Sequence, residues 1–227
     1  MPSGGSVTIP SPAGTPVQAM GSAYLNLEPH TASTGVPAGL GIVTDPPDGK
    51  IPYLPTALAK RQENMKNPAK DPTNSCFMTG VPRFVYMPYP LQIFQNKKQI
   101  LMTSEFIHGV RNIFFDPKEH LDGVDFWNGD SRAHWEGDTL VVDVNGFNDQ
   151  TWFDRAGNYH SEQLHVVERY TRVSPDVISY EATIEDPKVF SRPWKVAVPL
   201  YRHQEKNFRL LEYECRAYIE DSSKAGK

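Results

Sequence analysis

The sequence predicts a mainly β fold: an antiparallel meander closed into a lipocalin-like barrel, with one short helix and an extended N-terminal arm. Three observations predict it. After Cys76 the chain becomes a succession of short β-forming segments separated by turn residues, with few helix-length stretches between them, as expected of strands that pair with their sequence neighbours. One segment, Val177–Glu185, alternates cleanly: Ile178, Tyr180, Ala182 and Ile184 share one face, and Ser179, Glu181, Thr183 and Glu185 the other. Closure into a barrel would remove exposed strand edges, so the barrel is preferred to a two-sheet sandwich.

In chain order, residues 1–50 are rich in Pro, Gly, Ser and Thr and show no periodicity. They read as an extended or disordered arm that drapes over the body or over a second subunit, so a homodimer through the arm is an expected assembly. Residues 51–220 form the single β-barrel domain, and 221–227 a flexible tail. Pro55 opens a run of good helix formers that Pro68 stops, with Leu58, Arg61, Gln62 and Met65 along one face. Strands are then expected at Arg83–Met87, Leu91–Gln95, Gln99–Ile107, Val110–Phe115, Ser131–Glu136, Thr139–Asn145, Leu164–Val173, Val177–Glu185, Trp194–Tyr201 and Phe208–Cys215. Gly137-Asp138 between two of them suits a type II′ hairpin turn. In Leu164–Val173 each face mixes polar and apolar groups, which fits a strand lining a partly polar cavity.

Composition bounds the function. A chain of 227 residues, 39% of them hydrophobic, can bury one sizeable core. A net charge of −4 gives no electrostatic reason to expect nucleic acid or an anionic membrane as partner. No apolar run reaches the roughly 20 residues of a membrane helix. The N-terminus lacks the features of a secretory signal, so a cytoplasmic location is expected. Cys76 and Cys215 could form one bridge, but two buried free thiols are the preferred reading.

The chemistry concentrates in Gly129–Tyr170, which holds His134, His160 and His165 among carboxylates, arginines and tryptophans. His165 and His160 are the expected acid–base groups, with Asp154 just upstream to orient one of them, and Arg132 offers a planar fork for a carboxylate or phenolate. These four are the expected catalytic residues. His134 shares strand parity with Arg132; Trp152 and Phe153 offer ring surface; His108 and Arg111 flank a tight connection; Arg169 and Tyr170 lie on the following strand. These seven are the expected substrate-binding residues, for a hydrophobic aromatic small molecule. No metal site is expected, since no metal-binding histidine spacing is present. No cofactor is expected either: no glycine-rich loop opens a helix after a strand, and no G-x-S-x-G elbow occurs.

The strings PPDGKIPYLPTALAKRQEN, GVPRFVYMPYPLQIFQ, FWNGDSRAHWEGDTLVVDV, FNDQTWFDRAGNYHSEQLHVVERY and EATIEDPKVFSRPWK together resemble a large, mostly uncharacterised family of acidobacterial and proteobacterial proteins, over roughly residues 46–216. Many of its members look exported. One branch is similar to phenylcoumaran-type lignin-dimer γ-formaldehyde lyases or decarboxylases. The resemblance implies a cofactor-independent carbon–carbon lyase that releases formaldehyde or carbon dioxide from an aromatic dimer to give a stilbene. Two other readings stay open: a non-catalytic lipocalin-like carrier of an apolar molecule, and a metalloenzyme using some of His108, His134, His160 and His165.

Overall fold

A computed structural model describes residues 42–217 and Ile219, together with the backbone of three short upstream strands. Those three are β1 (Thr8–Pro10), β2 (Pro16–Gln18) and β3 (Ala23–Asn26); the rest of residues 1–41 of the expected arm and the 221–227 tail lie outside the described residues. The order continues with β4 (Val43–Asp45), α1 (Pro55–Lys66), α2 (Arg83–Tyr86), β5 (Leu91–Gln95), β6 (Gln99–Ser104), β7 (Val110–Phe114), β8 (Asp130–Glu136), β9 (Thr139–Asn145), β10 (His165–Ser174), β11 (Val177–Glu185) and β12 (Trp194–Arg202). The protein is mainly β. Ten strands join in one sheet in the order β11-β10-β9-β8-β7-β6-β5-β3-β12-β4, and β11 also pairs with β12.

Neighbouring strands are antiparallel except β7 and β8, which run parallel through Ile113↔Ser131 and Phe114↔Arg132. The long 115–129 connection makes that reversal possible and interrupts the expected meander. The β8–β9 hairpin closes with Glu136 opposite Thr139. Gly137 has φ +58° and Asp138 does not share the positive value, in keeping with the type II′ turn.

The core lies on one face of β8–β12, where Val142, Val144, Val166, Tyr180, Ala182, Ile184 and Trp194 are buried. Each aliphatic side chain there contributes about 1.5–3 kcal/mol by leaving water. The alternation of β11 is as expected. The mixed pattern of β10 resolves the same way: Val166, Glu168 and Tyr170 point inward, while His165 and Arg169 lie on the partly exposed face.

Three elements depart from expectation. Arg83–Met87, rich in β-forming residues, makes a helical turn because Arg83 is buried and forks onto both carboxylate oxygens of Asp71 at 3.0 and 2.8 Å. That pair overrides local propensity. Phe208–Cys215 forms no strand; it is an irregular strap. The buried face of α1 is Ala57 and Asn64, whereas Leu58 and Met65 are exposed. The helix packs on loop backbone, with a bond from Asn64 Nδ2 to the Gly157 carbonyl, and a Cβ on Gly157 would come within 2.8 Å of Asn64. Only small or polar groups fit such an approach.

The cysteines are bridged, not free: Cys76 and Cys215 form a disulfide with Cα atoms 5.7 Å apart across 139 residues. No local spacing marks such a distant pair, so the sequence left it open. A bridge of this kind persists in oxidising surroundings, which stands against the cytoplasmic expectation. No helix among the described residues is long and apolar enough to cross a membrane. Reduction, or Cys215→Ser, should lower unfolding stability by about 2–4 kcal/mol. Urea titration with and without reductant checks it, and coincident curves would refute a structural role for the bridge.

Candidate functional site

The face of β8–β10 turned away from the core collects a group of titratable residues, two of them buried (Asp130 and Arg132) and two partly exposed (Asp143 and His165). Side chains at alternate positions put Asp130 and Arg132 of β8, Asp143 of β9 and His165 of β10 on that face. Asp143 lies opposite Arg132 on one side and Val167 on the other, at the centre of the group. The 115–129 connection adds His120. Its placement is fixed by Asp130 Oδ2, which accepts from the Leu121 N–H at 3.1 Å, and by Arg132, which donates to the Pro117 carbonyl at 3.1 Å.

The contacts form one chain. Arg132 pairs with Asp130 at 2.9 and 3.0 Å. Asp130 faces His120 Nδ1 at 3.1 Å, and His120 Nε2 faces Asp143 Oδ1 at 2.8 Å. The other oxygen of Asp143 accepts from His165 Nε2 at 3.0 Å. The two nitrogens of His120 meet one oxygen of Asp130 and one of Asp143, so the ring bridges the two carboxylates. His165 differs: its Nδ1 makes no hydrogen bond to the described residues, and its side chain is 39% exposed.

Electrostatics follow from these contacts. The Asp143 hydrogen bond, working against partial burial, holds the His165 pKa above its ordinary value. The reciprocal bond from His165, with help from His120, holds the Asp143 carboxyl below the carboxylate range. Burial pushes Asp130 upward, but Arg132, the Leu121 amide and His120 together bring it below its ordinary value. Neutral His165 therefore carries its hydrogen on Nε2, toward Asp143, and presents an open lone pair at Nδ1. A carboxylate-oriented imidazole with one free nitrogen can take up and return a proton.

Of the expected residues, His165 and Arg132 join this chain. His134 and Arg169 lie on the same face and both contact Glu136. Arg111 and Tyr170 instead meet inside the core. Glu168, fully buried, accepts on Oε1 from Arg111 at 3.0 Å, Tyr170 at 2.9 Å and Tyr180 at 2.8 Å, and on Oε2 from Arg111 Nη2. Ser131 Oγ accepts from Arg111 Nε at 3.2 Å. Burial disfavours the Arg111 charge, but Glu168 and the tyrosines more than restore it. Burial and the Glu168 charge push both tyrosines far up. His108 sits apart at the surface, paired with Glu214.

His160, Trp152 and Phe153 are core residues, and Asp154 does not reach either expected histidine. Asp154 accepts from Ala156 N and Asn158 N, and so shapes its own loop. His160 is wholly buried beside Phe147 and Phe153. Its Nδ1 must donate to the Ser161 carbonyl at 2.8 Å, so Nε2 accepts from the Thr151 hydroxyl at 2.7 Å. Gly80 (φ +73°) backs onto Thr151, where a Cβ would come within 2.2 Å of Oγ1.

Burial lowers the His160 pKa. A histidine that resists protonation when folded lends its full stability above the unfolded value of about 6.5 and loses it as pH falls toward the folded pKa. Unfolding free energy should therefore fall between pH 7 and 5 more steeply in the wild type than in His160→Gln, by at most about 1.4 kcal/mol per pH unit. Parallel profiles from chemical denaturation would contradict this.

His120, Asp130, Asp143, Glu168 and Tyr180 were not among the expected site residues. Among the described residues no three His, Cys, Asp or Glu groups converge as metal ligands. No protein-family model matches the chain, and no curated protein or solved structure is significantly similar to it.

Proposed function

We propose that the protein is an acid–base carbon–carbon lyase acting on a hydroxylated aromatic dimer of the phenylcoumaran type, with His165 as the proton-transfer group. The observation that carries the acid–base reading is the Asp143–His165 pair: the carboxylate fixes the ring through Nε2 and leaves Nδ1 open at a partly exposed face. The substrate class comes from the resemblance in the strings that end in LHVVERY.

The chemistry balances without a redox partner. His165 Nδ1 takes the proton of the substrate's primary hydroxyl. The O–H electrons become the second C–O bond of formaldehyde as the Cβ–Cγ bond breaks. That pair forms the Cα=Cβ double bond, and the Cα–O bond of the dihydrofuran ring breaks to release a phenolate. The proton held on His165 then goes to that phenolate. Asp143 stabilises the imidazolium between the two transfers, and His120 keeps Asp143 in place.

We also read the ten-stranded sheet as a barrel. The pairing of β11 with β12 as well as with β10, and of β3 with both β5 and β12, supports that reading. It would put Glu168 and Arg111 inside and the histidine chain on the outer wall. The direct test of function is incubation of purified protein with a phenylcoumaran, following formaldehyde and stilbene absorbance. Absence of both products at high enzyme concentration would sink the lyase reading.

A further inference from the structure

We propose that Asn145 is a second catalytic residue of the lyase site, donating from its side-chain amide to the phenolate oxygen that leaves the dihydrofuran ring. The assignment rests on the lyase reading, which gives His165 the proton transfers but names no donor for the departing oxygen.

The strands place Asn145 for this role. In TLVVDVN the inward turn of Leu140, Val142 and Val144 sends Asp143 and Asn145 to the opposite face. Asn145 lies opposite Asp130 on β8, and the register Val166↔Val144 carries it beside His165 on β10. Directly opposed side chains on one face of an antiparallel pair have Cβ atoms about 4.5–5.5 Å apart. The Asn145 amide and His165 Nδ1 can therefore meet two oxygens of one small molecule. In a phenylcoumaran the two reacting oxygens, on Cγ and on Cα, are separated by three carbons, a spacing that suits adjacent side chains.

Asn145 is also uncommitted. It is the last residue of β9, before Gly146 takes φ +65° and accepts from Phe126 N at 2.8 Å. An asparagine at such a turn commonly bonds nearby backbone. The Asn145 side chain instead makes no hydrogen bond to the described residues, and the residue is partly exposed. Its Nδ2 is a neutral donor aimed from a strand, so it favours negative charge as that charge develops and needs no proton transfer of its own.

The neighbouring charges set which way a substrate lies. Glu185, the cross-strand partner of His165 on β11, stands on the far side of the ring, exposed and without an ion pair among the described residues. A developing phenolate is repelled by that carboxylate and is directed to the Asn145 side. Asp130, the other neighbour of Asn145, has its charge met by the Arg132 fork and by His120. The departing oxygen thus lies against Asn145, within reach of the proton that His165 returns.

Kinetics of the purified full chain test this. Asn145→Ala should lower kcat/KM on a phenylcoumaran by about 10²–10³-fold, the usual loss for one oxyanion donor. Because the donor acts on the leaving oxygen, the loss should narrow as fluorine substituents on the departing ring make that phenol more acidic. A structural role would cut every substrate alike. That trend is a ratio within one variant, so it does not depend on how much of the variant folds. The pH inflection of kcat/KM should keep its wild-type position, since His165 and Asp143 are untouched. Unchanged kcat/KM in Asn145→Ala overturns the proposal, as does a loss equal across the fluorinated series or a displaced inflection. Wild-type protein that releases no formaldehyde from any member of the series overturns the lyase reading itself, and the assignment with it; the wild-type arm thereby separates the two failures.

Discussion

Glu168→Ala should destabilise the fold by about 3–5 kcal/mol, because it strands a buried cation. In the wild type the carboxylate receives two Arg111 nitrogens and two tyrosine hydroxyls, and Arg111 and Glu168 are almost wholly enclosed. The Ala variant leaves Arg111 with Ser131 as its principal partner, and the Tyr170 and Tyr180 hydroxyls without their acceptor. For a chain of this size the loss corresponds to a fall in Tm of roughly 6–20 °C. Glu168→Gln keeps the shape and one acceptor oxygen, so it should fall between the two. Arg111→Met combined with Glu168→Leu should be less damaging than either charge removal alone, since it removes both charges and restores apolar packing. Thermal and urea melts of the three variants beside the wild type check the series. A Glu168→Ala loss under about 1 kcal/mol would show that water or a shifted side chain compensates the arginine.

This network also shows how far the sequence could be read. The alternation of Leu164, Val166, Glu168 and Tyr170 is visible in the bare string, and it places a carboxylate on an otherwise apolar face. A buried Glu needs a cation, and that reasoning leads to an inward-facing arginine. What the string cannot supply is the partner's address. Arg111 is 57 residues away on β7, brought near by the parallel β7–β8 pairing that no local pattern announces. The strands β5, β9 and β11 are legible because period-two patterning and turn residues are local properties. The Arg83 helix and the disulfide are not, because each is decided by a contact distant in sequence.

The same division runs through the candidate active site. His165 could be picked out by residue type and by its position at the entry to a strand. Its partner Asp143 stands in TLVVDVN, where the apolar run disguises the parity that turns Leu140, Val142 and Val144 inward and Asp143 outward. His120 lies in a long connection without periodicity, so only the fold reveals it. His160 and Asp154, adjacent to everything expected of a base, are consumed by local bonds to Ser161, Thr151, Ala156 and Asn158. Nearness in sequence identified the neighbourhood and misjudged which nitrogen stays open.

If His165 Nδ1 moves the proton, His165→Ala should lower kcat/KM on a phenylcoumaran by about 10²–10⁴-fold, the usual range for a lost acid–base group. Asp143→Asn should reduce it comparably, since an amide offers neither the charge that stabilises the imidazolium nor a guarantee of the Nε2–H tautomer. The pH profile separates this role from a structural one. The base works when neutral, so kcat/KM should rise with pH through the His165 pKa, which Asp143 holds above the ordinary value. Removing the carboxylate removes the cause of that elevation, so the inflection in Asp143→Asn must move to lower pH even as the plateau falls. His160→Gln, altered in the core and not at this face, should keep the wild-type inflection. Wild-type activity in His165→Ala, or an unmoved inflection in Asp143→Asn, would falsify the assignment and return the outer-face chain to the status of a structural clasp for the 115–129 connection.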